Sequence, residues 1–204
     1  MQGQDHSGNE MLKPVVVFVG RSNVGKSSVV RALTGRRIRV GKRPGTTRRE
    51  ELIDLGSVTL ADMPGFGYIA GMDRASIDRM KTKIVQKLES WGNRIVVAVL
   101  VIDVSLFREL VERWESRNEI PVDIEFYGFL SEISRCVVVA ANKIDKVANR
   151  KRLHEIGFVR TKLIRIKENP DVLPVSTKEK GGIRVLQTRI EQILQQEGLQ
   201  RPDW

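Results

Sequence analysis

The chain has one cysteine among its 204 residues, so no disulfide can form within it and a stable fold must come from apolar packing. Cys136 sits inside the apolar run Cys136 to Ala141 and reads as a buried, inert thiol with no disulfide partner, as suits a reducing compartment. Long apolar stretches are also missing. The longest, Ile95 to Ile102, has eight residues, too few to cross a bilayer, and the polar start from Met1 to Glu10 has no targeting segment. A soluble, cytoplasmic protein without a membrane partner is expected. There are two histidines, His6 in a loose polar lead and His154 among basic residues. Neither stands in a nucleophile or carboxylate pattern, so both read as surface groups.

Acidic residues are scarce as well. They number 25 against 35 lysines and arginines, a formal charge of +10, and a basic surface of this kind attracts phosphate backbones. From Arg31 to Arg49 there are eight basic residues and no acidic one. A second basic group runs from Arg150 through Lys167 at helical spacing. Contact with ribosomal RNA or a ribosomal subunit is one expectation from this excess. A solvated surface in a highly charged, heat-adapted protein is the other.

What is present is a regular alternation of elements. After the lead, residues 1–13, the apolar run Val15 to Val19 reads as a strand and Ser28 to Thr34 as a helix. Gly35 to Arg49 reads as a mobile loop. Glu51 to Leu55 and Val58 to Asp62 flank Gly56-Ser57 as an antiparallel hairpin at a sheet edge. Ser76 to Trp91 carries Ile77, Met80, Ile84, Val85 and Leu88 on one helical face. Arg94 to Ile102 has the continuous Val/Ile character of a central strand. Leu106 to Ser134 reads as two helical pieces divided near Ile120-Pro121, with Trp114 and Phe126-Tyr127 as packing groups. Cys136 to Ala140 and Val172 to Val175 read as strands, and Arg150 to Lys167 as a helix. Ile183 to Leu194 reads as a closing helix prepared by Gly181-Gly182. The polar tail, residues 198–204, ends in Trp204, read as disordered. This order predicts a parallel, doubly wound α/β sheet in one domain, residues 14–197.

The chemistry is concentrated at the first strand-to-helix turn. Gly20-Arg21-Ser22-Asn23-Val24-Gly25-Lys26-Ser27 fits the phosphate-cradling loop G-x-x-x-x-G-K-[ST], between a predicted strand and a predicted helix. Glycines let backbone N–H groups approach a β-phosphate, and the helix N-terminus, including Ser28, adds donors and partial positive charge. Lys26 brings a full charge to the β- and γ-phosphates, and Ser27 offers a hydroxyl to Mg²⁺.

Such a loop leaves kinases, ATPases and GTPases open. Asn142-Lys143-Ile144-Asp145 decides among them. A carboxylate at Asp145 accepts from N1–H and the 2-amino group of guanine, two donors that adenine lacks, and an unpaired buried polar group is heavily penalised. Ser176-Thr177-Lys178 follows another strand and is placed for further contacts to the base. Asp62-Met63-Pro64-Gly65 also ends a strand, where Asp62 can hold Mg²⁺ through water and the Gly65 N–H can meet the γ-phosphate. Thr46 and Thr47, beside Gly45, both stand in the basic loop. Either hydroxyl could complete the Mg²⁺ shell.

The ordered set GRSNVGKS, PGTTR, DMPGFGY, NKID and STK resembles the TrmE-Era-EngA-YihA class of GTPases, and within it the EngB (YihA) family, from about Val15 to Leu194. The resemblance implies a P-loop G domain with a mostly parallel six-stranded sheet, one antiparallel edge strand and helices on both faces. It implies GTP and GDP as ligands with Mg²⁺, and places the switch threonine at Thr47. Lys26, Thr47 and Gly65 become the catalytic set, and Ser27, Thr47 and Asp62 the metal set. It also implies a role in large-subunit ribosome assembly, and in bacteria an association with division and septation. Asn142-Lys143 replaces the Thr-Lys of many bacterial members, and 106–134 is longer, as in an archaeal or divergent branch.

Phe66 occupies the position after Asp-x-Pro-Gly where many GTPases carry a water-orienting glutamine. Phe cannot orient water, so slow hydrolysis is expected, stimulated by an activating partner or by a monovalent cation. Asn23 resembles the P-loop asparagine of K⁺-dependent relatives, and its alternative role is to stabilise the turn. The reading is therefore a slow, Mg²⁺-dependent GTPase switch. Its rivals are a guanine-nucleotide-sensing scaffold without hydrolysis and a small-molecule P-loop kinase or ATPase.

Overall fold

The Val-rich runs form the middle of a six-stranded sheet in the order β2-β3-β1-β4-β5-β6. The strands are β1 Val15–Gly20, β2 Glu51–Asp54, β3 Thr59–Asp62, β4 Ile95–Asp103, β5 Cys136–Asn142 and β6 Asp171–Pro174. In this computed structural model, residues 13–36, 50–66 and 73–204 are described. β4 is buried along its whole length because it pairs on both sides, with β1 and with β5, and is covered on both faces. β2 runs antiparallel to β3 at the edge and every other pairing is parallel, as the hairpin and the alternation predict.

Strand periodicity splits the core in two. Val15, Val17 and Val19 face one layer and Val16 and Phe18 the other. The helices are α1 Lys26–Thr34, α2 Arg74–Trp91, α3 Val104–Glu115, α4 Val122–Ile133, α5 Asn149–Leu163 and α6 Lys180–Gln196. α1 and α6 cover the Val16 face through Val29, Val30, Leu186 and Ile190. α2 to α5 cover the Val15 face through Ile84, Leu88, Phe107, Phe126, Leu130 and Val159. Each such fully buried side chain contributes about 1.5–3 kcal/mol relative to exposure. α3 ends in a left-handed turn at Asn118 (φ 55°), after which Glu119 N–H donates to the Trp114 carbonyl at 3.1 Å, and Pro121 precedes the first turn of α4 as its N-cap.

Four details differ from the sequence reading. Cys136 is half-buried at the start of β5, where burial raises its thiol pKa and keeps it protonated. The basic helix ends at Leu163, not Lys167. There the bonding tightens to an i→i+3 pattern, with Ile166 N–H donating to the Leu163 carbonyl at 2.9 Å. Gly181 and Gly182 lie inside the first turn of α6 rather than before it, and any Cβ at Gly182 would meet the Pro174 carbonyl at 2.8 Å.

The fourth is the C-terminal segment, which docks instead of trailing. Pro202 is buried, and Trp204 packs on the core while its Nε1 donates to Glu191 at 2.7 Å. Asp203 N–H donates to the Leu55 carbonyl at 3.0 Å, and the Ser57 hydroxyl to the Gln200 carbonyl at 2.8 Å.

Candidate functional site

Parallel pairing places the C-terminal ends of β1, β3, β4, β5 and β6 along one edge of the sheet, where α/β folds bind their ligands. Four of the chemical motifs start there: Gly20 at the end of β1, Asp62 at the end of β3, Asn142 at the end of β5 and Ser176 just beyond β6.

At the phosphate end, Gly25 takes φ 90° immediately before α1. A side chain there would also strike Asn142 Nδ2 at 2.5 Å, so the position demands glycine on two counts. Lys26 is buried and makes a short ion pair with fully buried Asp62. Burial pushes its pKa down and the Asp62 charge partly opposes that shift. The Ser27 hydroxyl donates to the other Asp62 oxygen at 2.6 Å. Lys26, Ser27 and Asp62 therefore form one cluster, a cation beside oxygen donors of the type that Mg²⁺ accepts. Met63 and Pro64 are buried. The chain after them is laced to the loop: Phe66 N–H donates to the Gly20 carbonyl at 3.2 Å, Ser22 N–H to the Phe66 carbonyl at 2.9 Å, and Ser22 Oγ to the Gly65 carbonyl at 3.3 Å. Asn23 has φ 68°, a left-handed position that asparagine tolerates, which accords with the turn-stabilising role.

The base end is joined directly to this loop. Asn142 Nδ2 donates to the Val24 carbonyl at 2.8 Å, and Lys143 Nζ to the Asn23 carbonyl at 2.6 Å. Asn142 Oδ1 is buried without a hydrogen-bond partner, an open acceptor that a ligand's donor would satisfy. Asp145 accepts from the Ser176 hydroxyl at 2.7 Å and lies 3.3 Å from Lys178 Nζ. The Ser176 hydrogen bond, with Lys178 adding, holds its carboxyl below the usual range. Ser176 Oγ accepts from the backbone N–H of Lys178 and Glu179. Thr177 is exposed beside it, and Ser28 lies in the first turn of α1. Gly45, Thr46 and Thr47 lie outside the described residues.

Some of the supporting residues are invisible to motif reading. Asp103 accepts Lys143 Nζ at 2.6 Å through one oxygen and caps α3 through the other, accepting from the Ser105 hydroxyl at 2.6 Å. Its signal in the sequence is a lone carboxylate closing a Val/Ile run, on the same edge as Asp62 and Asn142. Arg21 lies 3.9 Å from buried Asp123 of α4, a pairing across 102 positions that no local pattern announces.

A family profile described as "50S ribosome-binding GTPase" matches residues 15–143. Among curated proteins, the probable GTP-binding protein EngB of Pyrococcus abyssi is 41% identical over 191 residues, spanning 94% of this chain and 90% of that one. Its counterpart in Pyrococcus horikoshii is 40% identical over 183 residues, spanning 89% and 84%. Among solved structures, a probable GTP-binding protein engB superposes with a TM-score of 0.78 at 36% identity, covering 89% of this chain and 99% of that one. An Era variant from Aquifex aeolicus bound to GDP·AlF4⁻ gives 0.63 at 26% identity, covering 89% and 56%.

Proposed function

Because the chain belongs to the EngB family of P-loop GTPases, we propose that it is a slow, Mg²⁺-dependent switch that acts on the large ribosomal subunit during assembly. GTP binding follows from the family, which sets aside the kinase and ATPase alternatives; the metal, the site residues and the client particle are the proposal. The observation that carries it is the direct tie between the two ends of the crevice, Asn142 to Val24 and Lys143 to Asn23. A guanine on Asp145 thereby fixes where its phosphates meet Gly20–Ser27.

The Lys26–Asp62 pair and the Ser27 hydroxyl fit this use chemically. With nucleotide bound, Lys26 would pair with the phosphates instead of Asp62, and Asp62, Ser27 and Thr47 would hold Mg²⁺, which would neutralise charge on the phosphate oxygens. Gly65 offers its N–H to the γ-phosphate, and the segment after Asp62 reports the phosphate's presence. Phe66 offers the attacking water no hydrogen bond, so a partner, or K⁺ at the loop, supplies the missing group.

Ribosomal contact is supported by the wording of the matched profile and by surface charge. Lys146, Arg150 and Lys151 have no ion pair among the described residues, and they line a cavity of about 420 Å³ near the base end together with Glu109 and the ion pair Arg108–Glu155. Phosphates of an RNA backbone suit the three cations without an ion pair. Sedimentation with large subunits, comparing GTP analogue with GDP across a salt series, tests the proposal. Binding that prefers one nucleotide state and weakens steeply with salt supports it; nucleotide-independent or salt-insensitive binding overturns it. Single-turnover hydrolysis with and without subunits, in K⁺ and in Na⁺, identifies the activator.

A further inference from the structure

We propose that Arg152, outside every nucleotide-binding motif, is a positioning residue that clamps together the two loops reading the base and so sets how long guanine nucleotide stays bound. The proposal rests on Asp145 receiving the guanine edge. Arg152 Nε donates to the Val147 carbonyl at 3.2 Å, in the loop that follows Asp145. Its Nη1 and Nη2 donate to the two carboxylate oxygens of Glu179 at 3.3 and 3.0 Å. Glu179 N–H in turn donates to Ser176 Oγ at 3.2 Å, and that hydroxyl donates to Asp145 Oδ1 at 2.7 Å. One guanidinium thus holds the Asp145 loop by a carbonyl and the Ser176 loop by a carboxylate, and the chain of contacts ends on the atom that orients Asp145.

The two loops also meet directly, with Ile144 N–H donating to the Val175 carbonyl at 3.2 Å, and Arg152 ties them again farther out. On this side, α5 and the start of α6 are separated by a groove of about 420 Å³ lined by Ile144, Ile156, Pro174 and Val185, with Arg152 and Glu179 on its wall. The ion pair spans the gap. A planar fork suits the task because it engages a carboxylate at two points while its Nε still reaches a carbonyl, which the single ammonium of lysine cannot reproduce. Arg152 and Glu179 are 29% and 50% exposed, so the clamp is modest in strength and open to solvent.

The test uses the full chain loaded with fluorescent GDP or IDP, chased with excess unlabelled GDP, in wild type, Arg152→Ala, Arg152→Lys and Glu179→Gln, with the Tm of each. IDP lacks the 2-amino group and senses Asp145 through one hydrogen bond fewer. Arg152→Ala should release GDP about fivefold faster, the equivalent of about 1 kcal/mol for a solvent-exposed pair. IDP release should change less, so that discrimination between the two falls. Arg152→Lys should recover part of the difference, and Glu179→Gln should mimic Arg152→Ala even if the latter fails to fold. Unchanged GDP release in the folded variants overturns the clamp. So does equal acceleration of GDP and IDP in step with a lowered Tm, which is what a purely structural role would give. If wild type itself fails to distinguish GDP from IDP, the base-reading role of Asp145 fails instead.

Discussion

The ring of Phe66 lies flat on the ring of Phe126, with centroids 3.8 Å apart and planes within 8° of parallel. Both are almost wholly buried, and Phe129 meets Phe126 edge-on at 6.1 Å. The residue that follows Asp-x-Pro-Gly is thus a core residue, while its own backbone is bonded to Gly20 and Ser22 of the phosphate loop. Movement of this segment in response to a γ-phosphate has to break or carry the stack with α4. Phe66 is in this way coupled to packing rather than to water.

Replacing Phe66 by glutamine is therefore not expected to restore a catalytic glutamine. It removes a buried aromatic contact and places an unpartnered amide in the core, a loss of roughly 2–4 kcal/mol. Urea unfolding should show that loss, and single-turnover GTP hydrolysis without a partner should not increase. A faster intrinsic rate at full stability would contradict the packing role.

Asp145→Asn reverses the hydrogen-bonding sense toward the 2-position of the purine. An Asn amide can donate to the 2-oxo group of xanthine, whereas the Asp145 carboxylate would accept from the 2-amino group of guanine under the proposed function. GTP affinity should fall by about a hundredfold and xanthosine triphosphate affinity should rise, since each mismatched buried polar group is costly. Parallel titrations with the two nucleotides measure the exchange. Equal loss for both would remove Asp145 from base reading.

The sheet and the motif positions were legible because they rest on local rules: strand periodicity, continuous Val/Ile runs for the doubly covered strands, and Gly-rich turns between them. The basic helix illustrates the limit. Its charges do not mark its end, which the i→i+3 bond from Ile166 to Leu163 does. The tail was misread for a related reason. Composition from Gly198 to Asp203 is polar, yet Asp203 bonds to Leu55, far away in sequence, and Trp204 to Glu191 on the preceding helix. The same applies to Asp123, Arg152 and Glu179, whose roles come from tertiary proximity that no spacing rule encodes.

Asp62→Asn should leave the ammonium of Lys26 buried without its counter-charge, because Asp62 is fully enclosed and pairs with it directly. Breaking a buried pair from one side costs about 3–5 kcal/mol, and Mg²⁺ should lose its effect on GTP affinity in the same variant. Urea unfolding of the nucleotide-free protein and GTP titration across a Mg²⁺ series report the two effects separately. Full stability together with unchanged Mg²⁺ dependence would detach Asp62 from both roles.

Burial lifts the pKa of Asp123 to about 6, with Arg21 pulling it down and Asp103 pushing it up, and its Oδ1 has no hydrogen-bond partner. In the unfolded chain the carboxyl titrates near the ordinary value of 3.8. Between these two values the folded state binds more protons than the unfolded one, so this group's contribution to stability falls as pH rises from about 4 to about 6 and is constant above. The span corresponds to about 3 kcal/mol at most. Carboxyls held low by hydrogen-bonded partners, such as Asp54 by Lys13 and Asp145 by Ser176, give the opposite slope, so the comparison of wild type with Asp123→Asn isolates the one group. The variant should gain roughly 1–3 kcal/mol over wild type at pH 7.5 and lose most of that advantage at pH 4.5. Urea unfolding at the two pH values supplies the four numbers. A variant that is no more stable than wild type at pH 7.5, or whose advantage is the same at both, would show that Asp123 is satisfied as an anion in the fold.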